Sequence, residues 1–157
     1  MSLSHDAILA RLAQMGLSLP DAAAPAANYV PFLRSGDMLY VSGQISMKNG
    51  ALICGKLGAD LDVAAGAAAA QTCALGLIAQ VSKALEGDLG RLKRVVKLVG
   101  FVNSTQNFTD QPEVINGASD FMVNLLGDTG RHARSAVSAT SLPRGVAVEI
   151  EGIFEIK

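Results

Sequence analysis

Tryptophan is absent, aromatic residues make up 4% of the chain, and the formal net charge is −1. Without rings to stack bases and without a long-range basic field, a nucleic-acid-binding surface is not the expected partner site. The same near-neutral balance gives no attraction to anionic membranes. Two cysteines, Cys54 and Cys73, stand far apart with only His5 and His132 as further soft ligands. This excludes a disulfide framework and supports no zinc or other metal site. Met1–Leu12 carries neither a basic leader nor a long apolar run, so the expected compartment is the reducing cytoplasm. The nearest approach to a membrane span is VAAGAAAAQTCALGLIA at 63–79. Alanine and glycine insert weakly and Gln71 interrupts the stretch, so it reads as the core helix of a soluble domain.

What the sequence does hold is apolar content, 50% of 157 residues, enough for one core and one domain. Residues 4–15 form a short amphipathic helix by their spacing, with Ser4 as N-cap, Ile8, Leu9, Leu12 and Met15 on one stripe, and Gly16 as the stop. It reads as an N-terminal appendage, joined by an Ala/Pro-rich linker at 19–28. YVPFLRSGDMLYVSGQIS then predicts two strands about a Ser-Gly-Asp turn, and Lys48-Asn49-Gly50 a second turn leading to a short third strand. Asp60 or Asp62 caps a helix over about 62–86, residues 94–104 make a strand covered on both sides, and 112–127 a further helix ending at Gly127. Two strands close the chain. This order of elements predicts an α+β domain with helices on one face of a sheet. The other face, left open and partly apolar, predicts oligomerisation.

Three motifs carry candidate chemistry. GALICGK at 50–56 matches a phosphate-loop pattern, but Leu57 stands where Ser or Thr is needed and no helix is expected to start there. RLKRVVK at 91–97 places four cations in seven residues and reads as the solvated entry to a strand. The third is ARSAVSATSLPRGVAVEIEG at 133–152, which reads as two strands joined by a Pro-Arg-Gly turn. Its second strand places Val146, Val148, Ile150, Phe154 and Ile156 on a core face and Ala147, Glu149, Glu151, Ile153 and Glu155 on the other. Arg134 and Glu149, 15 positions apart, fall near the same end of such a hairpin and can share a site. An arginine holds a small carboxylate through two parallel hydrogen bonds, and a glutamate under cover must be paired, protonated or holding a water. The alternative is a structural ion pair.

ARSAV at 133–137 with SLPRGVAVEIEGIF at 141–154 resembles the C-terminal motif of the Rid/YjgF family, the reactive-intermediate imine deaminases also known as L-PSP endoribonucleases. VSGQIS at 41–46, Tyr29 and VINGASDFM at 114–122 resemble further family segments, so that residues 26–157 correspond to the family core and 1–25 to an added helix and linker. Ala27-Asn28 replaces the family's usual Gly-Pro, and Ala136 stands where Cys is frequent. The resemblance implies a chorismate-mutase-like (bacillus type) α+β fold with two helices on one sheet face, and a homotrimer with sites between subunits. It implies hydrolytic deamination of 2-aminoacrylate and 2-iminoacids to 2-oxoacids and ammonia, with no cofactor. Arg134 would bind the substrate carboxylate, Glu149 would position the attacking water, and Tyr29, Ser42, Gly43, Asn116 and Ala136 would line the pocket. A non-catalytic trimer binding small carboxylate metabolites and an RNA-cleaving protein are the competing functions.

Overall fold

Ser4 accepts a hydrogen bond from the Ala7 N–H at 3.2 Å and so caps α1 (His5–Gln14), where the computed structural model, which describes residues 3–157, begins its regular structure. Ile8 and Leu12 are each 1% exposed and belong to the main core, while Leu9 turns outward. Arg11 donates from Nη1 to the Leu125 carbonyl at 3.1 Å, satisfying a helix C-terminal oxygen. The helix expected as an appendage is therefore part of the core, because its stripe covers apolar surface that would otherwise face water. The linker after it is also docked, through Gln80 Nε2 donating to the Ala23 carbonyl at 2.8 Å.

β1 (Phe32–Ser35) and β2 (Met38–Ile45) form the expected hairpin. The expected third strand is instead one arm of a separate two-stranded ribbon, β3 (Met47–Lys48) with β4 (Ala51–Leu52). Asn49 and Gly50 turn it with φ of 52° and 78°, the double positive that favours Asn-Gly at tight hairpins. Asp62, not Asp60, caps α2 (Val63–Ala84) by accepting from the Ala65 N–H at 2.8 Å, and Asp60 accepts from the Lys56 N–H instead. α2 is long and apolar enough to cross a membrane by composition, yet half of that stretch is buried within the fold, as expected of a core helix. It packs on α3 (Gln111–Leu126) so closely at Gly117 that a β-carbon there would collide with the Ala67 backbone.

β5 (Leu92–Asn103), β6 (Ala133–Ala139) and β7 (Val148–Ile156) complete a five-stranded sheet of order β1-β2-β7-β5-β6, in which only β5 and β6 run parallel. α3 is the crossover between those parallel strands, which places β6 at the edge and leaves β7 to fill the centre. The parity expected for β7 holds from Val148 onward: Val148, Ile150, Phe154 and Ile156 are buried under the helices, and Leu98 and the Phe154 ring fill the space where Gly152 has no side chain. Ala147 departs from it. It precedes the strand, is fully buried, and donates its N–H to the Ile53 carbonyl at 2.9 Å. Among the described residues no helix lies over the opposite sheet face, which carries Leu33, Tyr40 and Val137 at 61%, 46% and 45% exposure, a broad apolar surface.

Candidate functional site

Arg134 lies on β6 in register with Leu98 and, through β5, with Gly152, so its side chain leaves the sheet on the helix side. There it meets the first turns of α3: Nη1 donates to Ser119 Oγ and Nη2 to the Pro112 carbonyl, each at 3.1 Å. Asn116 lies four residues after Pro112 and three before Ser119, on the helix face that receives the guanidinium. Ala136, two residues along β6, shares that face and packs against the core. Ser119 also touches His132 Nε2 at 2.9 Å, and His132 Nδ1 lies 2.6 Å from the Gly130 carbonyl. Burial first, and the Arg134 charge second, hold the imidazole below its ordinary pKa, against the contrary effect of the Gly130 carbonyl. Arg134, Asn116 and Ala136 thus form one rim.

Glu149 belongs to another. It pairs with Ile45 and Phe101 on the uncovered face, with Val137 beyond. β2 bulges between Val41 and Gln44, and the carboxylate sits on Gly43, where a β-carbon would overlap Oε1. A side chain at Gly43 would displace the carboxylate from this position. Ser42, in the same bulge, donates from Oγ to the Val30 carbonyl at 2.7 Å and ties down the loop that carries Tyr29. Tyr29, 47% exposed, lines a groove of about 430 Å³ with Val30, Leu33, Tyr40, Ser42 and Ile153. Lys97, Val99 and Glu151 form its far wall. Partial burial, then the neighbouring Glu151 charge, raise the Glu149 pKa above the ordinary carboxylate value. Among the described residues neither a hydrogen bond nor an ion pair engages its carboxylate.

Arg134 and Glu149 are not partners across a hairpin, as the sequence suggested, because β5 lies between β6 and β7. With Arg134 opposite Gly152 and Glu149 three residues further along, their Cα atoms are roughly 14 Å apart by strand spacing and rise. Their side chains emerge on opposite faces. A direct ion pair within one chain is excluded, and so is a single small ligand touching both groups of one chain.

The phosphate-loop pattern and the first two cations of the basic run are structural. Lys56 donates from Nζ to Asn103 Oδ1 and the Thr140 carbonyl, both at 2.6 Å, and α2 starts only at Val63, so no phosphate cradle exists at 50–56. Within the basic run, Lys93 pairs with Glu155 of β7 at 2.7 Å and Arg91 donates to the carbonyl of Lys157, the residue after that strand. Sequence reasoning missed Ser119 and His132. Their signals were present: Ser119 follows Asn116 at helical spacing, and His132 precedes Arg134 by two residues, which is one strand period.

Residues 9–150 match the family described as YjgF/chorismate-mutase-like, putative endoribonuclease. Protein TCP17 of Trypanosoma cruzi is 50% identical over 151 residues, covering 95% of this chain and 94% of its own length. The crystal structure of a protein of unknown function from Agrobacterium tumefaciens is 49% identical with a TM-score of 0.92, covering 98% of this chain and 94% of that one. A putative endoribonuclease from Shewanella oneidensis is 35% identical with a TM-score of 0.91, over 95% and 99%. The family match begins inside α1, earlier than residue 26, and similarity over 98% of the chain extends into that helix. The sheet order, the two helices on one face and these similarities lead to one identification: the chain belongs to the YjgF/chorismate-mutase-like family.

Proposed function

We propose that the protein hydrolyses small 2-iminoacids and 2-aminoacrylate to 2-oxoacids and ammonia, at sites each built from the Arg134 rim of one subunit and the Glu149 rim of another in a homotrimer. The observation that carries this reading is Glu149: a half-buried carboxylate of raised proton affinity, without a hydrogen-bond or ion-pair partner among the described residues, on an apolar face that none of their helices covers. Such a group is a better proton acceptor than an ordinary carboxylate and is suited to take a proton from an attacking water. Arg134, held at the rim by α3, would bind the substrate carboxylate and present the imine carbon to that water. Attack, with the first water proton passing through Glu149 to nitrogen, gives a neutral carbinolamine; Glu149 then carries the hydroxyl proton to the same nitrogen, so that ammonia leaves as the C–N bond breaks and the carbonyl forms, 2-aminoacrylate having first tautomerised to its imine. Gly43, Ser42 and Tyr29 would shape the pocket on the Glu149 side, Asn116 and Ala136 on the Arg134 side. The same geometry supports binding of carboxylate metabolites without turnover, which needs only the Arg134 rim. RNA cleavage has less support, since Arg91 and Lys93 are occupied by the C-terminal strand.

Ammonia release from iminoacids generated in place by an amino-acid oxidase tests turnover. Mixing tests the composition of the site. Arg134→Lys and Glu149→Gln chains, each strongly impaired alone at low substrate concentration, should regain about a quarter of wild-type activity when co-assembled at random, because a closed ring then contains some sites with both native rims. No rescue on confirmed mixing would overturn the shared site; an inactive wild type leaves the binding reading.

A further inference from the structure

The contacts behind Arg134 have a fixed polarity. A carbonyl can only accept, so the 2.6 Å contact with Gly130 puts the proton of the neutral imidazole on His132 Nδ1. Nε2 is then an acceptor, and at 2.9 Å it receives the Ser119 hydroxyl proton. That leaves the Ser119 oxygen lone pairs for Arg134 Nη1 at 3.1 Å, while Nη2 goes to the Pro112 carbonyl. Each group in the series has one role compatible with its neighbours. Two of the five guanidinium N–H donors are held this way, which stops rotation about both Cζ–Nη bonds and leaves Nε–H and one proton on each Nη for a ligand.

We infer that Ser119 and His132 are positioning residues that orient Arg134 for a bidentate carboxylate. This rests on the reading of Arg134 as the carboxylate anchor. Neither residue touches the substrate; the histidine sets the direction of the hydroxyl, and the hydroxyl holds the guanidinium. The neutral state of His132 is kept by its burial and by the adjacent cation. In this arrangement the binding edge is formed before the ligand arrives, and less ordering is required on binding.

Titration of pyruvate against the full-length protein tests the inference. Ser119→Ala and His132→Leu should weaken binding about three- to tenfold, the scale of one hydrogen bond. Ser119→Thr, which keeps the hydroxyl, and His132→Gln, whose amide oxygen replaces the Nε2 acceptor, should bind within about twofold of wild type. Rescue by these two variants is not expected if Ser119 and His132 serve packing alone. Nitrogen NMR of the ligand-free protein supplies an independent reading: His132 should be the Nδ1–H tautomer, and the Arg134 Nη1 protons should be resolved in wild type but averaged in Ser119→Ala, with the Nη2 protons held by Pro112 in both. An Nε2–H tautomer, or pyruvate affinity unmoved in Ser119→Ala and His132→Leu, overturns the inference alone. A wild type with the expected NMR signature that binds no pyruvate removes Arg134 as the anchor, and the inference with it.

Discussion

The two rims differ in how complete they are. Around Arg134, every contact is made within the chain: the cation has a hydroxyl and a carbonyl, the hydroxyl has an imidazole, and the imidazole has a carbonyl. Around Glu149 the carboxylate rests on a glycine and beside another acid, with no hydrogen-bond or ion-pair partner among the described residues, and the surface around it is apolar and open. Buried or half-buried polar groups are normally satisfied, and apolar sheet faces are normally covered. In the proposed trimer the first rim is finished by folding and the second would be completed by association. This division suits a site assembled from two chains, in which the ligand-holding half is rigid beforehand and the reactive half gains its final environment on assembly.

The largest effect should come from denying the second rim its cover. Ile153→Asp places a charge between Tyr40 and Lys97 on the open face. Sedimentation should then show single chains in place of about three per particle, and deaminase turnover should fall to background, with far-UV circular dichroism unchanged. Full turnover by a single-chain species would erase the contrast between the rims. Next in size, Glu149→Gln keeps the side-chain shape and removes the base, so turnover should drop by about 10²–10⁴-fold with pyruvate affinity unchanged. A smaller loss belongs to the finished rim. Arg134→Lys replaces a planar fork by a point charge and should weaken pyruvate binding by roughly 1.5–3 kcal/mol, read by calorimetry.

The smallest effects are on stability and have opposite pH signatures. Glu149 has a raised pKa in the fold, so between the ordinary carboxylate value and the raised one the folded chain keeps a proton that the unfolded chain has lost. Stability falls as pH rises through that window and stays reduced above it. Glu149→Gln should therefore melt slightly higher than wild type at pH 7, with the gain vanishing in acid. His132 is shifted the other way, below its reference value of 6.5, so the unfolded state binds the extra proton and stability falls as pH drops below that value. His132→Gln should flatten this part of the melting profile. An unchanged profile would show that the imidazole is not the neutral group on which the Arg134 rim depends.

Much of this arrangement was legible in the chain. The α3 and β5 spans, the Asn49-Gly50 turn and the parity of β7 follow from periodicity and turn chemistry, because those are local preferences. Arg134, Glu149, Gly43, Ser42, Tyr29 and Asn116 were each identifiable as residues of interest from a motif. What could not be read was which of them meet. ARSAVSATSLPRGVAVEIEG looks like a hairpin locally, and the parallel β5–β6 crossover removes one of its strands to the sheet edge. Ser119 and His132 have ordinary neighbours in sequence and become a chain of hydrogen bonds only when α3 lies over β6.

The sequence by itself determined the elements, their buried faces and the chemical types available, since these depend on contacts between residues a few positions apart. Only the tertiary structure decided that Arg134 and Glu149 stand on opposite faces of one sheet. Strand order is set by long-range pairing and by the burial of β7 between β2 and β5, and the alternation of side chains along a strand then assigns each residue to a face according to its register.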